Sequence, residues 1–296
     1  MPYLLLTLSA LIWSGNFVIS RAMNSVIPPV CFVFWRWLVA IAVLAPIAIP
    51  KLRRDWPIVR ANLQVICICG LFGVALFNLL VYTAMHTTTA INASLVNSSI
   101  PVFILMLTRI FYGQRVSLRQ HLGIALSLAG VATIILQGDL ARISTLTFKL
   151  GDLLVLFAAV AWALYSIALR RYPQGLNPFV FVFCIAICGV VFLMPFYAVE
   201  IASGNLMTVN AASILSIGYV GIFASVIAMV TWNSGLRRVG ARLGGQFIHL
   251  MPAFSTILAV IFLGERLHRF HLAGIALIFA GILCATYKVK TANQPA

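Results

Sequence analysis

Stretches of about twenty apolar residues follow one another along this chain with little between them. A helix needs roughly 20 mostly apolar residues to cross a hydrocarbon core about 30 Å thick. Ten runs meet that length, at 3–22, 29–49, 62–85, 88–112, 119–137, 151–171, 178–200, 211–235, 240–264 and 269–288. At about 21 residues each, they leave under about ten residues per connection on average, too little for a soluble catalytic domain. The expectation is an all-α membrane protein. Charge agrees, because only 8% of the 296 residues are charged, against about a quarter in a soluble domain. An ordinary soluble enzyme and a disordered protein are excluded. The 20 Lys+Arg against 5 Asp+Glu read as topology signals on membrane loops, so the lipid bilayer is the expected partner and no nucleic acid is.

Smaller features fit that frame. Met1, Pro2 and Tyr3 supply no basic segment before the first run, so a retained helix is expected and not a cleaved signal peptide. Cys31, Cys67, Cys69, Cys184, Cys188 and Cys284 all lie in apolar runs, where a thiol acts as a small hydrophobe. Neither a disulfide framework nor a metal site is expected. Thirteen Lys and Arg follow the even-numbered runs and five lie on the other side, which puts both termini in the cytoplasm.

The chain also repeats itself. Trp13, Arg21, Pro29, Phe32, Val33, Phe34 and Pro46 recur 149 positions later as Trp162, Arg170, Pro178, Phe181, Val182, Phe183 and Pro195. Gly70 and Gly73 recur at Gly218 and Gly221, and Pro101, Gly113 and Arg115 at Pro252, Gly264 and Arg266. The segments at 123–130 and 274–281 agree in six of eight positions. Each half, 3–137 and 151–288, holds five runs. Five is odd, so the second half must enter the membrane from the opposite side. Loop charge argues the same way: 51–60 is strongly basic and its counterpart 201–210 has no Lys or Arg. The segment 86–89 has none and its counterpart 236–242 has three. Arg115 and Arg266 depart from this alternation. The reading is ten transmembrane helices as two inverted five-helix repeats around a central cavity, the architecture of secondary transporters.

Two stretches carry a family resemblance. Gly264-Glu265-Arg266-Leu267, followed by the segment 274–281, resembles the end of an EamA domain, and Ile12-Trp13-Ser14-Gly15-Asn16-Phe17-Val18 resembles its opening. Gly113-Gln114-Arg115 is a weaker copy in the first half. Over about 3–288 the chain resembles ten-helix members of the drug/metabolite transporter superfamily, and within it bacterial exporters of aromatic amino acids and related metabolites. That resemblance implies a cavity formed by the first to fourth and sixth to ninth spans, with the fifth and tenth peripheral. It also implies a multi-pass protein of the bacterial plasma (inner) membrane that moves a small molecule, is no enzyme, uses no cofactor, and exists as a monomer or weak homodimer.

Several residues stand out as candidates to meet a substrate. Trp13 and Trp162 are an aligned pair near mid-depth, with Asn16 and Tyr165 one turn on; cavity lining and bundle packing are both open to them. The third and fourth runs hold Asn78, Tyr82, Asn92, Ser94, Asn97, Ser98 and Ser99, either interhelical hydrogen-bonding groups or the wall of a wet cavity. Trp232 aligns with Tyr82, and Gln246 and His249 sit in the ninth run. His249 is either a functional ionisable group or a neutral ring bonded to a carbonyl or a Ser. Arg36 reads as a snorkelling residue in an interfacial belt with Trp35 and Trp37, or as a contact for a substrate carboxylate. Arg109 reads as snorkelling. Pro101 and Pro252, deep in the fourth and ninth runs, are expected to kink them and are candidate hinges. Gly123, Gly130, Gly274 and Gly281 suit close helix packing.

Acids are conspicuous by their positions. Asp55, Asp139, Asp152, Glu200 and Glu265 all fall at loops or helix ends. The small multidrug transporters related to this superfamily depend on an acid in their first helix, and the segment 9–20 has none. Coupling through a buried carboxylate is therefore not expected, and a neutral or zwitterionic substrate is. Broad-specificity export of amino acids by alternating access, facilitative or weakly coupled through His249, is the reading favoured. A multidrug or sugar-nucleotide carrier of the same fold is the alternative, although the phosphates of the latter would find only Arg36. An intramembrane enzyme would need a catalytic constellation that one His and scattered Ser do not supply.

Overall fold

A computed structural model describes residues 1–23, 26–84, 87–88, 93, 96–114, 117–145, 149–263 and 267–286. Asn92, Ser94, Arg115, Gly264, Glu265, Arg266, Lys288 and Lys290 lie outside the described residues. All the long elements are helices: α1 Pro2–Met23, α2 Pro29–Ala61, α3 Leu63–Ala84, α4 Ile100–Tyr112, α5 Leu118–Ile135, α6 Leu150–Ala168, α7 Pro178–Ala202, α8 Ala211–Val239, α9 Leu250–Leu263 and α10 Arg269–Thr286. Seven of the described helices, α2, α3, α5, α6, α7, α8 and α10, are long and apolar enough to cross a membrane. Their outer faces carry exposed Leu, Ile, Val and Phe, the surface a bilayer covers and water does not.

Three features differ from the sequence expectations. First, the basic segment 51–60 is not a loop, because α2 runs on as helix through Pro46, Pro50 and Pro57 to Ala61. Second, the runs at 88–112 and 240–264 are not continuous helices. A turn at Ser98 and Ser99 precedes α4, and a short helix Ala241–Gly244 and a 3₁₀ segment Gly245–His249 precede α9. Pro101 and Pro252 thus stand in the first turn of α4 and α9. A helix's first turn has no intrahelical acceptor for its N–H groups, so proline costs it little. Neither residue is the helix-interior kink expected. Third, α3 and α8 each contain a π-helical segment, Gly70–Leu76 and Val220–Ile227.

Packing among these helices is reciprocal. α2 lies against α7 and α5 against α10; α1 packs on α8 and α9, and α6 packs on α3 and α4. The α5–α10 seam is as close as backbones allow. A Cβ on Gly123 would come within 2.6 Å of the Gly281 carbonyl, and one on Gly130 equally near that of Gly274. These four glycines are used inside the molecule.

The scarce acids secure helix starts. Glu200, near the end of α7, accepts the backbone N–H groups of Val30 and Cys31 in the first turn of α2 at 3.1 and 2.6 Å. Asp55, near the end of α2, accepts that of Asn177, the residue before α7, at 3.2 Å, and also pairs with Arg54. Asp152 accepts the Lys149 N–H just before α6 at 2.7 Å together with the Thr88 hydroxyl, and Asp139 accepts that of Ala141 at 2.9 Å. A carboxylate is favoured there by the exposed N–H groups and the positive end of the helix dipole.

Candidate functional site

Helices α1, α2, α3, α6 and α8 and the breaks before α4 and α9 converge on a central cavity of about 50 Å³. That volume holds a few water molecules and falls well short of a pocket for a small organic ligand, so the site is narrow in this conformation. Of the sequence candidates, Trp13, Asn16, Arg36, Asn78, Asn97 and Trp162 line it. Trp37, Phe77, Ile100, Met229, Ile248 and Met251 complete most of the wall, and no described residue of α5, α7 or α10 takes part. The seventh span therefore does not contribute as the resemblance implied.

Three indoles form one side. The Trp13 and Trp162 ring centroids lie 5.1 Å apart and edge to face, and Trp232 sits 5.3 Å from Trp13 and 6.1 Å from Trp162. Trp232 is fully buried behind the other two and does not line the cavity. The Trp13 indole donates to the Ala224 carbonyl at 3.0 Å. This acceptor lies in the α8 π-segment, where i→i+5 bonding displaces carbonyls from the regular ladder. The indole N–H groups of Trp162 and Trp232 have no partner among the described residues.

Arg36 occupies the other side. It is 3% exposed, so it does not snorkel, and Trp37 is buried beside it and belongs to no interfacial belt; only Trp35 is exposed. The guanidinium donates to Ser225 Oγ at 2.9 Å through Nε, and to Asn78 Oδ1 at 3.3 Å and the Tyr82 hydroxyl at 3.1 Å through Nη1. The π-segments fix these partners. The Asn78 amide donates to the carbonyls of Gly73 and Val74, and the Ser225 hydroxyl donates to that of Val220. Each bond points the oxygen of the same side chain at Arg36. Its hydrogen-bond partners are all neutral, and no acid among the described residues lines the cavity. Tyr82 stands behind the guanidinium and donates to Asn16 Oδ1 at 3.5 Å.

Tyr165 and His249 lie outside the lining. The Tyr165 hydroxyl donates to Asn233 Oδ1, tying α6 to α8. His249 ends the 3₁₀ segment, and its Nε2 lies 2.9 Å from the Ser98 carbonyl, which joins the two helix breaks. This is the carbonyl-bonded ring that was one of the two expectations. Its Nδ1, both amide atoms of Gln246, Asn97 Oδ1 and Asn233 Nδ2 are buried without partners among the described residues. Buried polar groups normally find partners, and of these unpartnered atoms Asn97 Oδ1, together with the Trp162 indole N–H, belongs to the cavity wall, where water or a polar ligand would satisfy it. Pro101 and Pro252 are outside the lining, and Arg109 is exposed on α4.

Comparisons with known proteins place the chain. The model of the EamA-like transporter family matches residues 1–136 and 149–287. The uncharacterized transporter YyaM of Bacillus subtilis (strain 168) is 25% identical over 288 residues, 97% of this chain and 94% of the relative. A probable terminal-alkyne amino-acid exporter of Streptantibioticus cattleyicolor is 31% identical over 252 residues, 83% of this chain and 78% of its own length. A crystal structure with 24% identity superposes with a TM-score of 0.76 over 96% of both chains, which is a likeness of fold.

Proposed function

The chain belongs to the EamA-like transporter family, a family of transporters and not enzymes, and from that premise we propose that it exports amino acids and similar small metabolites by alternating access. The observation that carries the reading is Arg36. A buried guanidinium with only neutral partners among the described residues, beside a narrow cavity, is a charge in search of an anion, because burying a charge is costly unless it is paired. A substrate carboxylate meets that need, and the indole faces of Trp13 and Trp162 suit an apolar side chain or an ammonium. The amino-acid exporter from Streptantibioticus cattleyicolor, at 31% identity, supports the same substrate class. A sugar-nucleotide cargo is disfavoured, since Arg36 is the sole basic residue in the lining.

The transport cycle we infer rests on ten spans arranged as two inverted five-helix repeats, 3–137 and 151–288, in a bacterial inner membrane with both termini cytoplasmic. Several contacts support it. Residues one repeat apart meet one another: Trp13 with Trp162, Ser98 with His249, and Ser127 with Ile278 at 3.3 Å. Self-equivalent contacts of this kind arise only near a two-fold axis. α3 ends beside Gly151 at the start of α6, and α8 ends where Arg237 lies on Tyr172, just past the end of α6. These equivalent helices therefore end at opposite ends of α6, as inversion requires. The described acids secure helix ends and none lines the central cavity, which supports a cycle without a carboxylate at the substrate site.

Transport in proteoliposomes tests the assignment. Amino acids should be carried and their carboxamides should be poor substrates, and Arg36→Gln should erase that preference. A charge-assisted hydrogen bond is worth about 1.5–3 kcal/mol, or about 10- to 100-fold in affinity. Equal transport of acid and amide by the unmodified protein would overturn the carboxylate reading.

A further inference from the structure

A second cavity, of about 290 Å³, lies between the ends of α6 and α8 and the break before α9. Ser166, Arg170, Tyr172, Arg237, Gly240 and Ala241 are in its wall, and no acid is. The guanidinium of Arg237 lies 3.5 Å from the Tyr172 ring centroid, and that of Arg170 lies 4.0 Å from the ring of Tyr112 at the end of α4. Stacking holds the guanidinium planes while leaving their in-plane N–H donors free. Neither arginine has a carboxylate or a hydrogen-bond acceptor among the described residues. The other side-chain donors in the wall are committed: the Tyr172 hydroxyl to the Leu176 carbonyl at 3.0 Å and the Ser166 hydroxyl to that of Trp162 at 2.8 Å.

Orientation by positive charge accounts for basic residues at this end of the bundle. It does not account for two of them being seated on aromatic rings at one cavity. Both arginines are exposed, so water can solvate them, but their free donors face one space and arginine's planar fork matches phosphate oxygens. The cavity also sits where α6 and α8 end, and basic pockets near the ends of membrane helices take up anionic lipid headgroups. We propose that this cavity binds a phosphate-bearing anion between Arg170 and Arg237, either an anionic lipid headgroup or a free phosphate ester. This is a site separate from the central cavity and does not depend on the substrate assigned there.

Native mass spectrometry of the full chain in detergent tests the proposal. Phosphatidylglycerol is offered against phosphatidylethanolamine at equal concentration, and glycerol 1-phosphate and inorganic phosphate are offered in separate arms. The expected result is at least fivefold preferential retention of phosphatidylglycerol, or of a soluble phosphate if that is the source. Arg170→Gln with Arg237→Gln should abolish the preference. Arg60→Gln, which removes a charge outside the cavity, should keep it. If the double variant does not fold, the unmodified protein still answers through phenylglyoxal labelling. The retained ligand should protect Arg170 and Arg237 at least fivefold and leave Arg60 labelled. No retention of phosphatidylglycerol, glycerol 1-phosphate or inorganic phosphate beyond that of phosphatidylethanolamine, or equal protection of all three arginines, would overturn the site.

Discussion

Trp13 and Trp162 occupy equivalent places in the two halves, yet only Trp13 has its indole N–H bonded within the protein. That difference separates structural from functional use. Trp13→Phe should destabilise the protein by about 1 kcal/mol, the net worth of a typical hydrogen bond, which thermal unfolding in detergent would register. Trp162→Phe removes a donor that no protein group satisfies, so stability should hold or rise. If that N–H serves the substrate, transport by Trp162→Phe should nonetheless fall about fivefold, because one such bond is worth about 1 kcal/mol. Unchanged transport would remove Trp162 from the substrate's polar contacts. Both indoles were legible in the sequence, as were Asn16, Arg36, Asn78 and Asn97, because an aromatic pair at mid-depth or a polar group in hydrocarbon needs a reason to be there. Ile100, Met229, Ile248 and Met251 line the same cavity and were not legible. In a chain that is 62% hydrophobic, nothing local marks which apolar side chains face inward.

At the scale of elements, the helix breaks and π-segments do the positioning, and a hydropathy window averages over both. Asn97-Ser98-Ser99 and the pair Gly244-Gly245 were the available signals for the breaks, each a few residues ahead of a proline. Taking Pro101 and Pro252 as interior kinks assigned the cause to the wrong residues. Since both prolines stand in a first turn, Pro101→Ala and Pro252→Ala should change stability by under about 1 kcal/mol and leave transport within about twofold. Thermal unfolding and proteoliposome uptake would show this; a tenfold loss of transport in both variants would restore the hinge role. The π-segments had only the glycines at 70, 73, 218 and 221 as markers. Glycine permits close approach but does not dictate i→i+5 bonding, which emerges only when Ser225, Asn78 and the Trp13 indole take up the displaced carbonyls.

Across the whole molecule, a repeated sequence surrounds chemistry that is not repeated. Trp13 with Trp162, Asn97 with Ile248, and Ile100 with Met251 are repeat equivalents that all line the cavity, while Arg36 has Ile185 as its counterpart. In the proposed cycle, symmetry of the frame would give alternating access two conformations of similar energy, and Arg36 would give the substrate one orientation. The same frame sets one latch on each flank of the cavity. Tyr82 donates to Asn16 between α3 and α1, and Tyr165 donates to Asn233 between α6 and α8. Asn16 and Tyr165 are equivalent positions, so each latch uses one member of that aligned pair, while Tyr82 aligns with Trp232 and Asn233 lies one residue beyond it. If the halves are inverted, the latches close opposite faces. Tyr165→Phe should then loosen the end bearing Arg170 and Arg237, while Asn16→Ala should loosen the other. One lost hydrogen bond of about 1 kcal/mol corresponds to about fivefold faster amide exchange at the affected end. Hydrogen–deuterium exchange should place that increase in peptides covering 165–171 and 233–239 for Tyr165→Phe, and in those covering 16–23 and 78–84 for Asn16→Ala. Faster exchange at the same end in both variants would break the link between the latches and the two access states.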